Sequence, residues 1–437
     1  MPAASVAAAR RRAPSAATAA GGVALAGLLA ACAALVIGAA GERRWFFVPA
    51  SVRGGFPGWL AGPLHGLGLA IAPRTGALLL VAMSLCYIVA LACARALSPR
   101  VVLLAVVAAH VLFLLGPPLF SADVFGYVDY ARLDVLHGLN PYAHGAADAA
   151  RDPVVRFVRW RDIATPYGPL FSLASLPLAW LSVPAALWAL KSVATLASLA
   201  CVALVWRIAR RRGLAPGPAV AFVGLNPLLL AYGVGGAHND FLLVALTLLA
   251  VLLALDGRER GGGLAAALAA GVKASSALVL PFLVLGARRR AAALAGAAAG
   301  IVVVLVAGVA AFGSHGLGFV SQIHEQQRLV ATYSVPSRLA AWLGFSGLPS
   351  GVRDALLAAF ALTVTALLWR TWRRGADWLA ASGWAMLALL LTTAWLVPWY
   401  VVWLLPLAAV GRDRRLVIAT LAFCGYVVAT RVAYLLL

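Results

Sequence analysis

The sequence predicts an all-α polytopic membrane protein, and three observations carry that prediction. The chain has 437 residues, 63% of them hydrophobic and 11% charged, with a mean hydropathy of +0.95. A water-soluble chain of that composition would leave apolar surface unburied and aggregate. Apolar runs recur at the length of about 20 residues that a helix needs to cross a bilayer, with room for about 11–13 membrane segments. Finally, a net charge of +21 comes mostly from arginines in short runs between the apolar stretches. That distribution marks topology rather than a nucleic-acid footprint, so the expected partner is the bilayer and no nucleic acid.

Taken in order, residues 1–20 form a basic tail placed in the cytoplasm by Arg10, Arg11 and Arg12, and residues 21–437 form one transmembrane domain. The stretch Gly21–Ala40 is longer than a signal-peptide core and is read as an anchor. Residues 41–76 then make an outer loop, Ala77–Leu97 returns, and Val101–Phe120 crosses outward to a first long polar loop, 121–167. The apolar stretch Gly168–Ile208 is too long for one helix and ends in Arg207, Arg210, Arg211 and Arg212. Charge bias demands an odd number of crossings here, which makes Leu170–Leu181 an interfacial helix and Pro184–Trp206 the span. Pro218–Gly236 and Phe241–Leu255 form the next pair. Gly263–Gly286 has basic clusters on both sides, so it is expected to enter and leave on one side as a hairpin of two half-helices. Ala291–Phe312 leads to a second long outer loop, 313–353, and spans near Ala355–Leu368, Trp378–Val397, Pro398–Val410 and Leu416–Leu437 complete the chain.

This topology sorts the polar residues. Six of the seven histidines, His65, His137, His144, His238, His315 and His324, fall on the outer side with most of the acids. The five cysteines, Cys32, Cys86, Cys93, Cys201 and Cys424, all lie in apolar stretches, which suits small core residues rather than a disulfide framework or metal site. No nucleotide-binding glycine pattern, Ser/His/Asp arrangement or Asp-x-Asp metal motif is present, so neither cofactor nor metal is expected.

Asp123 in "SADVFGYVDY" stands three residues beyond an apolar run, where a partly desolvated carboxylate can accept a proton. The alternative is a helix cap supplied by Ser121 or Asp123, with residues 124, 127, 128 and 131 on one face. Asp129, later in the same turn, is the weaker candidate, since at that place it can simply be solvated. "GLNPYAHG" and "TPYGPL" set Tyr142 and Tyr167 in rigid proline turns, and "GGAHND" brings His238, Asn239 and Asp240 to the outer end of a span. The chain's two lysines, Lys191 and Lys273, sit inside apolar segments, where they either meet an anionic ligand or snorkel to the nearer interface. In "TAWLVPWYVVW", Trp395 and Trp403 are read as interfacial belt residues. Trp399 and Tyr400, stiffened by Pro398, can also stack on a sugar ring.

The order of "DVFGYVDYARL", "GLNPY", "TPYGPL", "NPLLL", "HND" and "PWYVVWLLPL", over about residues 115–410, resembles the polyprenol-phosphate-mannose-dependent α-1,6-mannosyltransferases of the GT-C glycosyltransferase superfamily. The resemblance implies a GT-C fold with two long external loops and short interfacial helices. It implies transfer of mannose from a polyprenyl-phosphate donor to a cell-envelope glycan or glycolipid, with inversion and an α-1,6 linkage, at an extracytoplasmic site in the plasma membrane. By position, Asp123 becomes the general base. Tyr127, Asp129, Asn140, Tyr142, Tyr167, His238, Asn239, Asp240, His324, Arg328, Trp399 and Tyr400 become substrate-binding candidates. Lys191, Lys273 and Arg338 are the candidate cations for the donor phosphate. Two other readings stay open: a related enzyme using a different lipid-linked sugar, and a transporter or flippase for a lipid-linked sugar, which the intramembrane lysines would suit.

Overall fold

The computed structural model describes residues 15–41, 57–64, 66–67, 69, 71–317 and 329–436, and among them there is no β-strand. Six helices are long and apolar enough to cross a membrane: Ala16–Gly41, Pro73–Ala92, Val183–Arg211, Arg290–Gly316, Ser350–Arg374 and Arg414–Leu436. Shorter apolar helices of 10–17 residues include Pro99–Leu115, Asp240–Leu255 and Trp378–Thr392. The chain is therefore a multi-pass, all-α membrane protein, as its apolar patterning predicts.

Local chemistry sets the boundaries. Helices begin on proline at the first turn and on serine caps: Ser98, Ser182 and Ser334 accept from the backbone N–H of Val101, Ala185 and Ser337. The interfacial helix expected at Leu170–Leu181 is Pro169–Ser175 followed by a 3₁₀ turn, Leu176–Trp180, and the span after it runs Val183–Arg211. The segment read as one crossing from Pro218 to Gly236 is broken instead. Its helix, Pro216–Gly224, stops where Asn226 Oδ1 accepts the N–H groups of Leu228 and Leu229, and a π-helical turn, Leu229–Val234, follows. Asn-Pro at 226–227 is the local cause, because the asparagine side chain competes with the helical ladder.

The hairpin between the basic clusters is present. Glu259–Val272 and Arg290–Phe312 run parallel, since Gly263 lies against Ala293, Gly300 against Leu264 and Ala267, and Gly271 against Val304. At Gly263 and Gly296 a Cβ would meet the partner helix's backbone, so only glycine permits this approach. After Lys273 the chain turns through Ala274–Leu278 and returns along Val279–Gly286, whose last residue packs on Trp378. Ion pairs Arg211–Asp256, at 3.0 Å, and Arg212–Asp377 fasten neighbouring helix ends on that same side. One end of the molecule is thus basic and pinned. The tip of the hairpin, with Lys273, projects from it toward the other end.

Candidate active site

At the end opposite the basic clusters a cavity of about 890 Å³ opens between the loop of residues 142–167, the segment Trp395–Tyr400 and the end of the Arg414–Leu436 helix. Asp123 is the first residue of the helix Asp123–His137, which Gly138 terminates in the left-handed conformation, with Gly138 N–H bonded to Asp134 O and Leu139 N–H to Leu133 O. The capping alternative is resolved by Ser121, whose Oγ accepts the Asp123 N–H at 3.2 Å. The Asp123 carboxylate is left to face the cavity, with 21% of the side chain exposed there. The expected apolar face is also present: Val124, Tyr127, Val128 and Ala131 are all buried.

Beneath Asp123 lies a compact polar cluster built by "HND" and the hairpin tip. His238 Nδ1 is 3.6 Å from Asp123 Oδ2 and 4.0 Å from Asp240 Oδ2, and the imidazole stacks on Trp399 with ring centres 3.8 Å apart. Asp240 Oδ1 accepts from Lys273 Nζ at 2.9 Å and from Trp403 Nε1 at 2.7 Å. Lys273 Nζ also lies 5.1 Å from the ring centre of Tyr400 and 5.3 Å from that of Trp403, within the range of cation–π attraction. Among the described residues both His238 nitrogens and Asp240 Oδ2 are buried without a hydrogen-bond partner. Buried polar atoms left open in this way are uncommon outside functional sites. The backbone leading into both acidic motifs is held in the left-handed region at non-glycine residues, Phe120 (φ 60°) and Ala237 (φ 55°). Such conformations are costly and persist where surrounding structure enforces them.

Burial acts on both candidate acids of the helix, Asp123 and Asp129. Burial pushes the Asp123 carboxyl up to about 6, with Lys273 opposing, Asp240 adding, and Ser121 and Arg159 opposing. Burial likewise pushes Asp129 up to about 7, reinforced by Asp152 and opposed by Arg132. Asp129 is not solvated, although its position in the sequence allows it. It is 1% exposed, its Oδ2 has no hydrogen-bond partner, and it does not line the cavity. Its neighbour Asp152 is the better satisfied acid. Against burial, hydrogen bonds from Arg132, the Val154 N–H and His137 hold its carboxyl below the ordinary range.

The structure sorts the remaining candidates. Tyr142, Tyr167, Lys273, Trp399 and Tyr400 line the cavity with Asp123. Tyr127 is behind the wall: it is 1% exposed, and its hydroxyl donates to Asn239 Oδ1 at 3.4 Å. His238, Asn239 and Asp240 form the buried layer under the wall rather than its surface. Asn140 is a turn residue, donating to Phe312 O at 2.7 Å and accepting the Tyr142 N–H. Lys191 does not reach the cavity. It is completely buried, donates to Phe113 O at 3.0 Å, and so satisfies a carbonyl in the last turn of the Pro99–Leu115 helix. Arg338 is exposed near Tyr426, away from the cavity. His324 and Arg328 lie outside the described residues. Trp403, read as a belt residue, is 6% exposed and bonded to Asp240.

Many lining residues were not among the candidates, and three of them are cations: Arg159, Arg161 and Arg431. Each carries a signal in retrospect. Arg159 and Arg161 stand in a loop that charge bias assigns to the outer side, where arginine has no topological role. Beyond the Arg414–Arg415 pair at its start, the apolar helix Arg414–Leu436 carries one cation, Arg431, and ionisable residues inside such segments mark function by default.

Comparisons with known proteins identify the family of the chain. The family described as "Alpha-(1->6)-mannopyranosyltransferase, N-terminal domain" matches residues 19–289, a stretch that includes Asp123, His238, Asp240 and Lys273. The chain is 29% identical over 340 residues to alpha-(1->6)-mannopyranosyltransferase A of Mycobacterium tuberculosis, covering 71% of this chain and 65% of that relative. It is 31% identical over 172 residues to alpha-(1->6)-mannopyranosyltransferase A of Corynebacterium glutamicum, covering 38% of this chain and 35% of the relative. The matched region thus spans about two thirds of the first relative's length and about a third of the second's. No solved structure matches the chain. With more than half of its length matched by the family pattern, the chain belongs to the alpha-(1->6)-mannopyranosyltransferase family.

Proposed function

We propose that the protein is a membrane mannosyltransferase that moves mannose from a polyprenyl-phosphate-linked donor to a hydroxyl of a cell-envelope glycan or glycolipid. The observation that carries the reading is the approach of a partly exposed helix-start carboxylate, Asp123, and the ammonium of Lys273 to the same cavity, at the end of the molecule away from the arginine clusters; Asp148 and Asp162 line the cavity from its loop side. That end is the extracytoplasmic side of the plasma membrane in this reading, by the bias of arginine toward the cytoplasm. The cavity volume lies within the roughly 300–1,000 Å³ of small-molecule sites.

In the mechanism, Asp123 accepts the proton of the acceptor hydroxyl as its oxygen attacks the anomeric carbon. The bond to the donor phosphate oxygen breaks on the opposite face, and the configuration inverts. A β-linked donor then gives an α-linkage, and no covalent sugar–enzyme intermediate forms. A correctly placed base contributes about 10²–10⁴-fold. The raised Asp123 carboxyl suits this role, because a base near neutrality accepts a proton more readily than an ordinary carboxylate. Negative charge grows on the departing phosphate. Lys273, with three N–H donors and one hydrogen bond to Asp240, and Arg159 at the cavity wall are placed to meet it. Tyr142, Tyr167, Trp399 and Tyr400 supply rings for the sugar faces. Because an ammonium already balances Asp240, we expect catalysis without a metal. Activity lost to a chelator and restored by Mg²⁺ or Mn²⁺ would contradict that expectation.

The test is transfer by purified protein in nanodiscs from synthetic polyprenyl-phosphate mannose to a short α-mannoside, with the product linkage read by NMR. A new α-1,6 mannosyl residue supports the reading. Transfer from a glucosyl or arabinosyl lipid phosphate in place of mannose moves the protein to another sugar. Donor crossing the bilayer with no transfer would favour the flippase.

A further inference from the structure

A second void, of about 490 Å³, lies between the helices Pro73–Ala92 and Arg414–Leu436 and is floored by Asn226, Pro227 and Leu228. Its polar side chains are all turned inward. Ser84 Oγ donates to Leu80 O at 2.8 Å, Tyr87 Oη to Phe222 O at 2.7 Å, and Asn226 is occupied by Cys424 Sγ and the Leu228 and Leu229 N–H groups. With its hydrogen-bonding groups occupied by protein, the groove presents apolar surface to a ligand and gains nothing from a polar one. The cavity at Asp123 is the reverse, with a partly exposed carboxylate, the Lys273 ammonium and Arg431, whose Nε is open, in its lining.

The two voids flank the same helix. Val428, Val432 and Leu436 face the groove, while Arg431, Tyr434 and Leu435 face the cavity. The segment 226–232 serves both as well, with Leu228 in the groove and Tyr232 in the cavity wall. Arg431 lines the polar cavity from the helix that also walls the groove, between the groove residues Val428 and Val432 in sequence, and its Nε is buried with no hydrogen-bond partner among the described residues. An apolar groove on one flank of a helix whose other flank carries a guanidinium with an open N–H, lying 5.5 Å from the Tyr333 ring centre, is complementary to an amphiphile with one long hydrocarbon chain and an anionic head.

We propose that this groove holds the isoprenoid chain of the lipid-phosphate donor and that Arg431 meets its phosphate. The assignment rests on the proposed reaction for the identity of the lipid, and on the groove alone for where the chain lies. Gly425 provides a clean test, because it lines the groove and a Cβ there meets nothing within 4 Å. Gly425→Leu should therefore fill the groove without disturbing the helix.

The probe is a sugar-free polyprenyl phosphate carrying a photoreactive group midway along its chain, with crosslinked peptides mapped by mass spectrometry. The expected labels fall on residues 81–88 and 421–436, are competed by unlabelled polyprenyl phosphate, and drop several-fold in Gly425→Leu and Arg431→Gln. For transfer, Gly425→Leu should raise KM for a long-chain donor about tenfold, the equivalent of roughly two buried methylenes, and leave a short-chain donor unaffected. Labels elsewhere, labels unchanged by Gly425→Leu, or equal competition by ordinary phospholipid would overturn the proposal. Groove labelling without any transfer would leave the proposal standing and remove the mannosyltransferase reading instead.

Discussion

The protein buries two lysines, and the regions around them are instructive opposites. Lys191, inside the helix Val183–Arg211, is fully enclosed, and its ammonium donates to the Phe113 carbonyl and lies 5.6 Å from the ring centre of Trp188, with no carboxylate partner among the described residues. Lys273, at the tip of the hairpin, meets the carboxylate of Asp240 under a ring of aromatic side chains and opens onto the cavity with Asp123. Burial of a cation in an apolar segment does not separate structural from functional lysines. The partner does: a carbonyl at a helix end satisfies the backbone, whereas a carboxylate beside a second, free carboxylate builds a site.

The sharpest way to break that comparison is to remove each ammonium. Lys273→Met strands the buried Asp240 carboxylate, and such a loss destabilises by about 3–5 kcal/mol. Transfer should disappear with it. Lys273→Met combined with Asp240→Asn should regain most of the stability but not the activity, read by thermal unfolding and by transfer in parallel. Loss of stability equal to the sum of two independent single changes would show that the pair is not coupled.

The pH profile sharpens the same contrast. Asp123 must be ionised to accept a proton, so transfer should be level above about pH 6 and fall about tenfold per unit below it. Lys273 holds that carboxyl down, so any residual activity of a folded Lys273 variant should show the midpoint moved upward. A profile flat from pH 5 to 8 in the unmodified protein would remove Asp123 as the base.

The smallest effect is expected at the other lysine. Lys191→Met exchanges a buried cation for an apolar side chain of similar length and forfeits one hydrogen bond, a change of about 1 kcal/mol. Transfer kinetics should match the unmodified protein. A large fall in kcat would place Lys191 in the chemistry after all.

What the sequence reveals follows the range of the interactions. Apolar run length specifies the long helices, and basic residues on both flanks of Gly263–Gly286 specify the hairpin, because each is a property of one contiguous stretch. Asp123 is legible for the same reason, standing just past an apolar run. The partners of Asp240 are not. Lys273 and Trp403 are separated from it by 33 and 163 residues, and a tryptophan that bonds a buried acid looks like one at a lipid interface. The resemblance makes Tyr127 and Asn140 substrate-binding candidates, but both turn inward to satisfy protein groups. Arg431 went unread because its importance lies in which side of its helix faces the cavity.

The most direct test of the account compares Asp123→Asn with Asp129→Asn, two substitutions six residues apart on one helix. Both variants and the unmodified protein would be purified into nanodiscs, checked for equal folding, and assayed for radiolabelled mannose transfer from polyprenyl-phosphate mannose to a short α-mannoside. The account predicts a loss of about 10²–10⁴-fold for Asp123→Asn and near-normal turnover for Asp129→Asn. Equal transfer by Asp123→Asn and the unmodified protein would contradict it.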